Sequence, residues 1–168
     1  GRRFKRRDPT TKVIFYLATD QQGLNCYAAN DVFMANPEWW LKDSSGNVVK
    51  SNGHPVLDTT VQAAADWWVG IPLAGDDGKG NFDGVPVASL IDGVLADSSN
   101  YARYSNANLS IARLEELEDA KFRMIASLQA RLTALNGGIV MANGIDMYGP
   151  PNADPRDPTN HNLKVLRF

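Results

Sequence analysis

The chain has 168 residues, a formal net charge of −2, 43% hydrophobic residues and a single cysteine. That length suits one domain with a substantial core, and 21% charged residues alongside four tryptophans exclude a disordered chain. No apolar run reaches the ~18 residues of a membrane-spanning helix. Cys26 alone can close no intrachain disulfide, and with only His54 and His161 a multi-histidine metal site or relay is not expected.

In chain order, residues 1–9 form a basic lead-in. Residues 1–7 (GRRFKRR) hold five of the 17 basic residues and no acid, leaving 12 basic against 19 acidic residues and a net of −7 for the remainder. An acidic body argues against nucleic acid as a partner, because phosphate binding needs a broad basic surface. The basic run itself reads as a nuclear signal, a processing site or the solvated end of a helix. The chain starts without Met and shows no signal peptide, so it is expected to be a piece of a longer product.

KVIFYLATD (12–20) is a continuous apolar run suited to a strand buried on both faces. Residues 25–42 offer one or two helical turns interrupted at Pro37, and 43–53 reads as a polar turn or short hairpin centred on Ser45-Gly46. A second strand is predicted at PVLDTT (55–60) and a helix from Val61 to Val69, ahead of Pro72. The Gly/Asp-rich stretch 75–84 lacks the alternating ligands and closing glutamate of a calcium loop. A third strand follows at SLIDGVLADSS (89–99).

The clearest helix runs from Ser110 to Asn136. Ile111, Leu114, Leu117, Met124, Ile125, Leu128, Leu132 and Leu135 recur at three- and four-residue steps, and Gly137-Gly138 supply the stop. GGIVMANGID (137–146) is the fourth strand, 148–160 is proline-rich and irregular, and LKVLRF (163–168) is a fifth candidate. Strands alternating with helices predict an α/β protein with parallel βα units, because a parallel return needs a crossover. The whole chain reads as one α/β domain or as a fragment of a larger barrel. Four strands and the start of a fifth fall short of the eight of a closed (β/α)8 barrel, so an open doubly wound parallel sheet is the alternative.

Functional residues in such folds collect at the C-terminal strand ends. Those ends carry Asp20 and Gln21, Asp58 with Thr59-Thr60, Asp97 with Ser98-Ser99, and Asn143 with Asp146. Converging carboxylates suit glycoside hydrolysis, which needs one acid and one nucleophile or base. Asp97 is the preferred catalytic carboxylate, with Asp58 or Asp146 as its partner. Asp58 equally fits as a cap for the following helix, and Asp92 either points into a barrel or braces its turn. Aromatic faces beside carboxylates and amides suit carbohydrate, and Tyr16, Trp40 and Tyr148 are candidate sugar contacts. Trp67-Trp68 read better as helix residues packed on the sheet. There is no dinucleotide fingerprint, Walker A sequence, nucleophile elbow or HExxH, and no cofactor is expected.

The strings NPEWWLKDSSGNVV (36–49), PVLDTTVQAAADWWVG (55–70), IDGVLADSS (91–99) and IVMANG (139–144) stand in an order and spacing that resembles TIM-barrel glycoside-hydrolase-like families, loosely related to the polygalactosaminidase group. The resemblance covers roughly residues 10–146, as a partial barrel. It implies that Asp58, Asp92, Asp97 and Asn143 line a sugar-binding face, with Asp97 as the leading acid or nucleophile. No glutamate occupies a strand end, which departs from the carboxylate pair such enzymes carry. Two functions follow as expectations: a secreted glycosidase acting on polysaccharide, or a non-catalytic glycan-binding or structural subunit of an extracellular assembly. Either leaves room for a partner chain that completes the barrel.

Overall fold

The computed structural model describes residues 8–19, 29–74, 87–97 and 107–143. Three parallel strands, β1 (Ile14–Ala18), β4 (Gly93–Asp97) and β5 (Ile139–Ala142), form one sheet in the order β1-β4-β5. Between them in the chain lie α1 (Ala29–Met34), a 3-10 turn (Pro37–Trp39), a small hairpin of β2 (Lys50–Ser51) and β3 (His54–Pro55), α2 (Gln62–Ala74), a second 3-10 turn (Val87–Leu90) and α3 (Ile111–Asn136). The mixed α/β architecture and the parallel sheet match the sequence expectation.

The expected second strand does not join that sheet. His54-Pro55 instead return antiparallel on Lys50–Ser51 across an Asn52-Gly53 turn with both φ angles positive, at 50° and 84°. Paired positive φ values mark a tight hairpin turn whose twist matches its strands. Pro55 has no N–H to give to a ladder, which bars it from a central parallel strand. Backbone bonds Leu41 N–H to Val56 O, Val49 N–H to Leu41 O and Val56 N–H to Val49 O knit this region around buried Leu41, Val49 and Val56, against Leu117 of α3. The hairpin turn therefore lies at Asn52-Gly53, with a second turn at Asp43–Asn47.

Helix α3 begins and ends where its sequence signals lie. Ser110 Oγ accepts from the Arg113 N–H at 3.1 Å, and Gly137 adopts the left-handed conformation (φ 69°). Leu117, Met124, Ile125, Leu128 and Leu132 are buried, whereas Ile111 and Leu135 at its extremities are exposed. Helix α2 runs past Pro72 to Ala74, and the proline ring is buried within its last turn. Pro37 starts the 3-10 turn, where its missing N–H costs nothing.

Both long helices pack on one face of the sheet. Leu17, Val94 and Ala96 meet Ala64, Trp68, Met124, Ile125, Leu128 and Leu132 there, and Trp68 Nε1 donates to the Ala18 carbonyl at 2.7 Å. Each such leucine, fully buried, contributes about 1.5–3 kcal/mol. Rows of the opposite face follow from the register: Ile14–Gly93–Ile139, then Tyr16–Leu95–Met141. Ile14, Tyr16, Ile139 and Met141 are exposed. At the edge of β5 that faces away from β4, Gln129 of α3 lays its side-chain amide along the strand. Its Oε1 accepts from Val140 N–H at 2.7 Å and its Nε2 donates to Gly138 O at 3.1 Å.

Two predictions follow from this packing. A methyl on Gly93 would lie 2.5 Å from the Ile139 carbonyl oxygen and 3.1 Å from its Cγ1. Gly93→Ala is expected to lower unfolding stability in urea by about 1–3 kcal/mol, and an unchanged midpoint would contradict the close approach. At the 43–47 turn, the Asn47 backbone N–H, followed by its side-chain amide and the Ser45 N–H, holds the Asp43 carboxyl below its ordinary value of 3.8. The turn is thus stabilised above that value and loses this support as pH falls through the lower folded value. Faster amide exchange at Ser45 and Asn47 on acidification is the expected readout.

Candidate functional site

At the C-terminal rim of the sheet, β1, β4 and β5 bring Tyr16, Asp97 and Asn143 together. Asp97 is the last residue of β4 and pairs with Ala18, so Tyr16, two residues earlier on β1, stands diagonally across on the same face. An aromatic side chain spans such a diagonal. The Tyr16 hydroxyl donates to Asp97 Oδ2 at 2.6 Å. Asn143 follows β5, donating its backbone N–H to the Ala96 carbonyl at 2.8 Å, and this sets its side chain beside Asp97. Asn143 Nδ2 donates to Asp97 Oδ1 at 2.8 Å. Both carboxylate oxygens of Asp97 thus accept a hydrogen bond, one from β1 and one from the residue after β5.

One further residue belongs to this rim, and sequence reasoning missed it. Thr19 follows β1 and is fully buried. Its N–H and its hydroxyl both donate to the Asp97 backbone carbonyl, at 2.8 and 2.9 Å. A lone threonine closing an apolar run reads as an ordinary strand residue, so only its place one step before Asp20 at a strand end could have pointed to it.

The other predicted residues sit elsewhere or are already engaged. Asp92 precedes β4 and accepts from Val13 N–H at 2.8 Å, with the Lys12 ammonium 3.8 Å away. It braces the start of β1, and the five-residue strand sets it about 16 Å from Asp97 along the chain. Asp92 therefore stands at the opposite end of the sheet from the rim. Asp58 lies ahead of α2, where Oδ1 accepts from the N–H and hydroxyl of Thr60 at 3.1 and 2.6 Å. Its Oδ2 takes the Arg113 guanidinium at 2.7 Å. Beside it the buried Thr59 hydroxyl donates to Leu117 O at 3.0 Å, so this corner docks the entry of α2 on the first turns of α3.

Trp40 is half-buried. Its Nε1 donates to Phe33 O at 3.2 Å and its ring lies 6.4 Å from that of Phe33. Trp67 stacks on Phe33 at 5.8 Å and approaches Trp39 at 5.4 Å, and Trp68 is in the core. Asp146, Tyr148, Asp20, Gln21, Cys26 and His161 lie outside the described residues. Among the described residues no three His, Cys, Asp or Glu side chains converge as a metal site, and no helix is long and apolar enough to cross a membrane.

Asp58 and Arg113 are 12% and 28% exposed in their side chains, shielded enough for the pair to matter. Asp58→Ala removes the turn bonds and strands Arg113, and is expected to cost about 2–3 kcal/mol in thermal or urea unfolding. A loss below about 0.5 kcal/mol, the level of an ordinary surface change, would show that this corner does not hold the helices together.

No family model matches the chain, and no match was found among curated proteins. Among solved structures it is similar to the galactosidase domain of an alpha-galactosidase-sucrose kinase, AgaSK, with a TM-score of 0.47 and 13% identity over 82% of this chain. The chain spans 16% of the length of that structure.

Proposed function

We propose that this chain is glycoside-hydrolase-like, with Asp97 as the carboxylate that works on a glycosidic bond in a polysaccharide. The observation that carries the reading is the rim itself: a carboxylate at the C-terminal end of a parallel strand, held by a tyrosine hydroxyl and an asparagine amide from its two neighbours. A carboxylate whose two oxygens both accept hydrogen bonds suits a nucleophile or a base rather than a proton donor. Asn143 is exposed and offers its amide to sugar hydroxyls, and the exposed Tyr16 ring stands one row below. Asp146, three residues beyond Asn143, is the partner carboxylate in this reading, with Tyr148 as a stacking surface.

The sheet fits as part of a (β/α)8 barrel. Its strands run in sequential order without reversal, as in a singly wound barrel and unlike a doubly wound sheet at its switch point. The helices take one face, and the other carries rows of apolar side chains of the kind that fill a barrel interior. A partner chain or further βα units would complete that interior. A polysaccharide substrate implies a secreted protein.

A second reading keeps the site and drops the turnover. Because both oxygens of Asp97 are already engaged, the rim equally suits a module that grips glycan without cleaving it. Reducing-end release from a panel of neutral polysaccharides separates the two. Turnover that falls by about 10²–10⁴-fold in Asp97→Asn is expected for the enzyme. Turnover indifferent to that change would sink the assignment of Asp97, and glycan binding without any release would select the non-catalytic reading.

A further inference from the structure

The geometry points to Thr19 as a positioning residue for Asp97, an assignment that rests on the glycosidase reading for its catalytic consequence. The β1–β4 ladder does not need the Thr19 hydroxyl. The Thr19 backbone N–H already satisfies the Asp97 carbonyl at 2.8 Å, yet the hydroxyl adds a second donor to the same oxygen at 2.9 Å. A valine would fill a buried strand-end position with better strand propensity and no polar atom to satisfy. The hydroxyl is fully buried, so its bond is not shared with solvent.

What this second bond restrains is the last peptide of β4, where a strand ordinarily frays. The Asp97 side chain is fixed from the other direction by Tyr16 and Asn143. Thr19 therefore joins a clamp on Asp97, one anchor on the backbone and two on the carboxylate, contributed by or next to the two strands that flank β4. A shift of the Asp97 main chain would carry Cα and Cβ with it and move Oδ1 and Oδ2 against both donors together. Reactivity is sensitive to such motion, since a displacement of 1 Å or less at a reacting group changes rates by large factors.

The test uses the whole chain and two variants. In Thr19→Val the side-chain amide resonances of Asn143 are expected to move, because the Asp97 carboxylate shifts against them, while Thr19→Ser returns them to their original positions. On a polysaccharide that the unaltered protein cleaves, Thr19→Val is expected to lower kcat about tenfold at unchanged KM, with Thr19→Ser restoring it. Unmoved Asn143 resonances in a folded Thr19→Val protein would overturn the clamp. Should that variant not fold, the unaltered protein still decides: slow exchange of the Thr19 hydroxyl proton with water is expected, and fast exchange overturns the proposal. If no polysaccharide is cleaved, the glycosidase reading fails by itself, and the resonances still judge the clamp.

Discussion

Strand β4 is the constraint on which the rest of the structure depends. It is bonded along both edges, to β1 and to β5, and its Val94 and Ala96 are fully buried beneath the two long helices. A buried strand has no water to satisfy its amides and carbonyls, so both ladders have to be in place beneath the helices that cover it. Gly93 permits the closest approach, letting the Ile139 carbonyl and the Ile14 side chain come together across a position with no Cβ. The end of the same strand then has little freedom, and Asp97 occupies that end.

That rigidity bears on the chemistry. The four polar side chains of the rim arise from regular strands or from residues one step beyond them, not from long loops, and strand-borne groups are held more closely than loop-borne ones. Two of the groups that meet Asp97, a phenol hydroxyl and a side-chain amide, carry no charge of their own. Asp58 shows the contrast within the same chain. Its carboxylate meets a guanidinium and a pair of threonine donors, and it joins helices instead of facing solvent.

Much of this was legible from residue order. The 3.6-residue spacing from Leu117 to Leu132 and the Gly137 stop mark α3 by local chemistry, and the structure agrees at both ends, adding the Ser110 side chain as its cap. Strands β1, β4 and β5 were visible as apolar runs, and Asp97 and Asn143 as their polar ends. The apolar PVL of 55–57 misled, because two residues decide its fate: the Asn52-Gly53 turn sends the chain back on itself and Pro55 withholds a donor. Asp92 and Asp97 look alike in IDGVLAD, yet strand direction puts one at each end of the sheet. Trp40 reads as a loop residue, and only tertiary packing shows its indole bonded to Phe33. Long-range partners such as Thr19 with Asp97, 78 residues apart, leave no periodic trace.

The amide of Gln129 has a consequence for folding in a crowded solution. Among the described residues no strand pairs with β5 on its outer side; an edge of that kind recruits other strands, and β5 is apolar, short and half β-branched. By occupying the outward N–H of Val140 and the outward carbonyl of Gly138, a side chain from the preceding helix mimics one peptide of a neighbouring strand. An intruding chain finds the first rung of that edge taken, so misregistered pairing from its start is blocked. A strand that belongs beside β5 has to begin beyond Val140 N–H, which leaves it fewer ways to dock and a narrower choice of alignment.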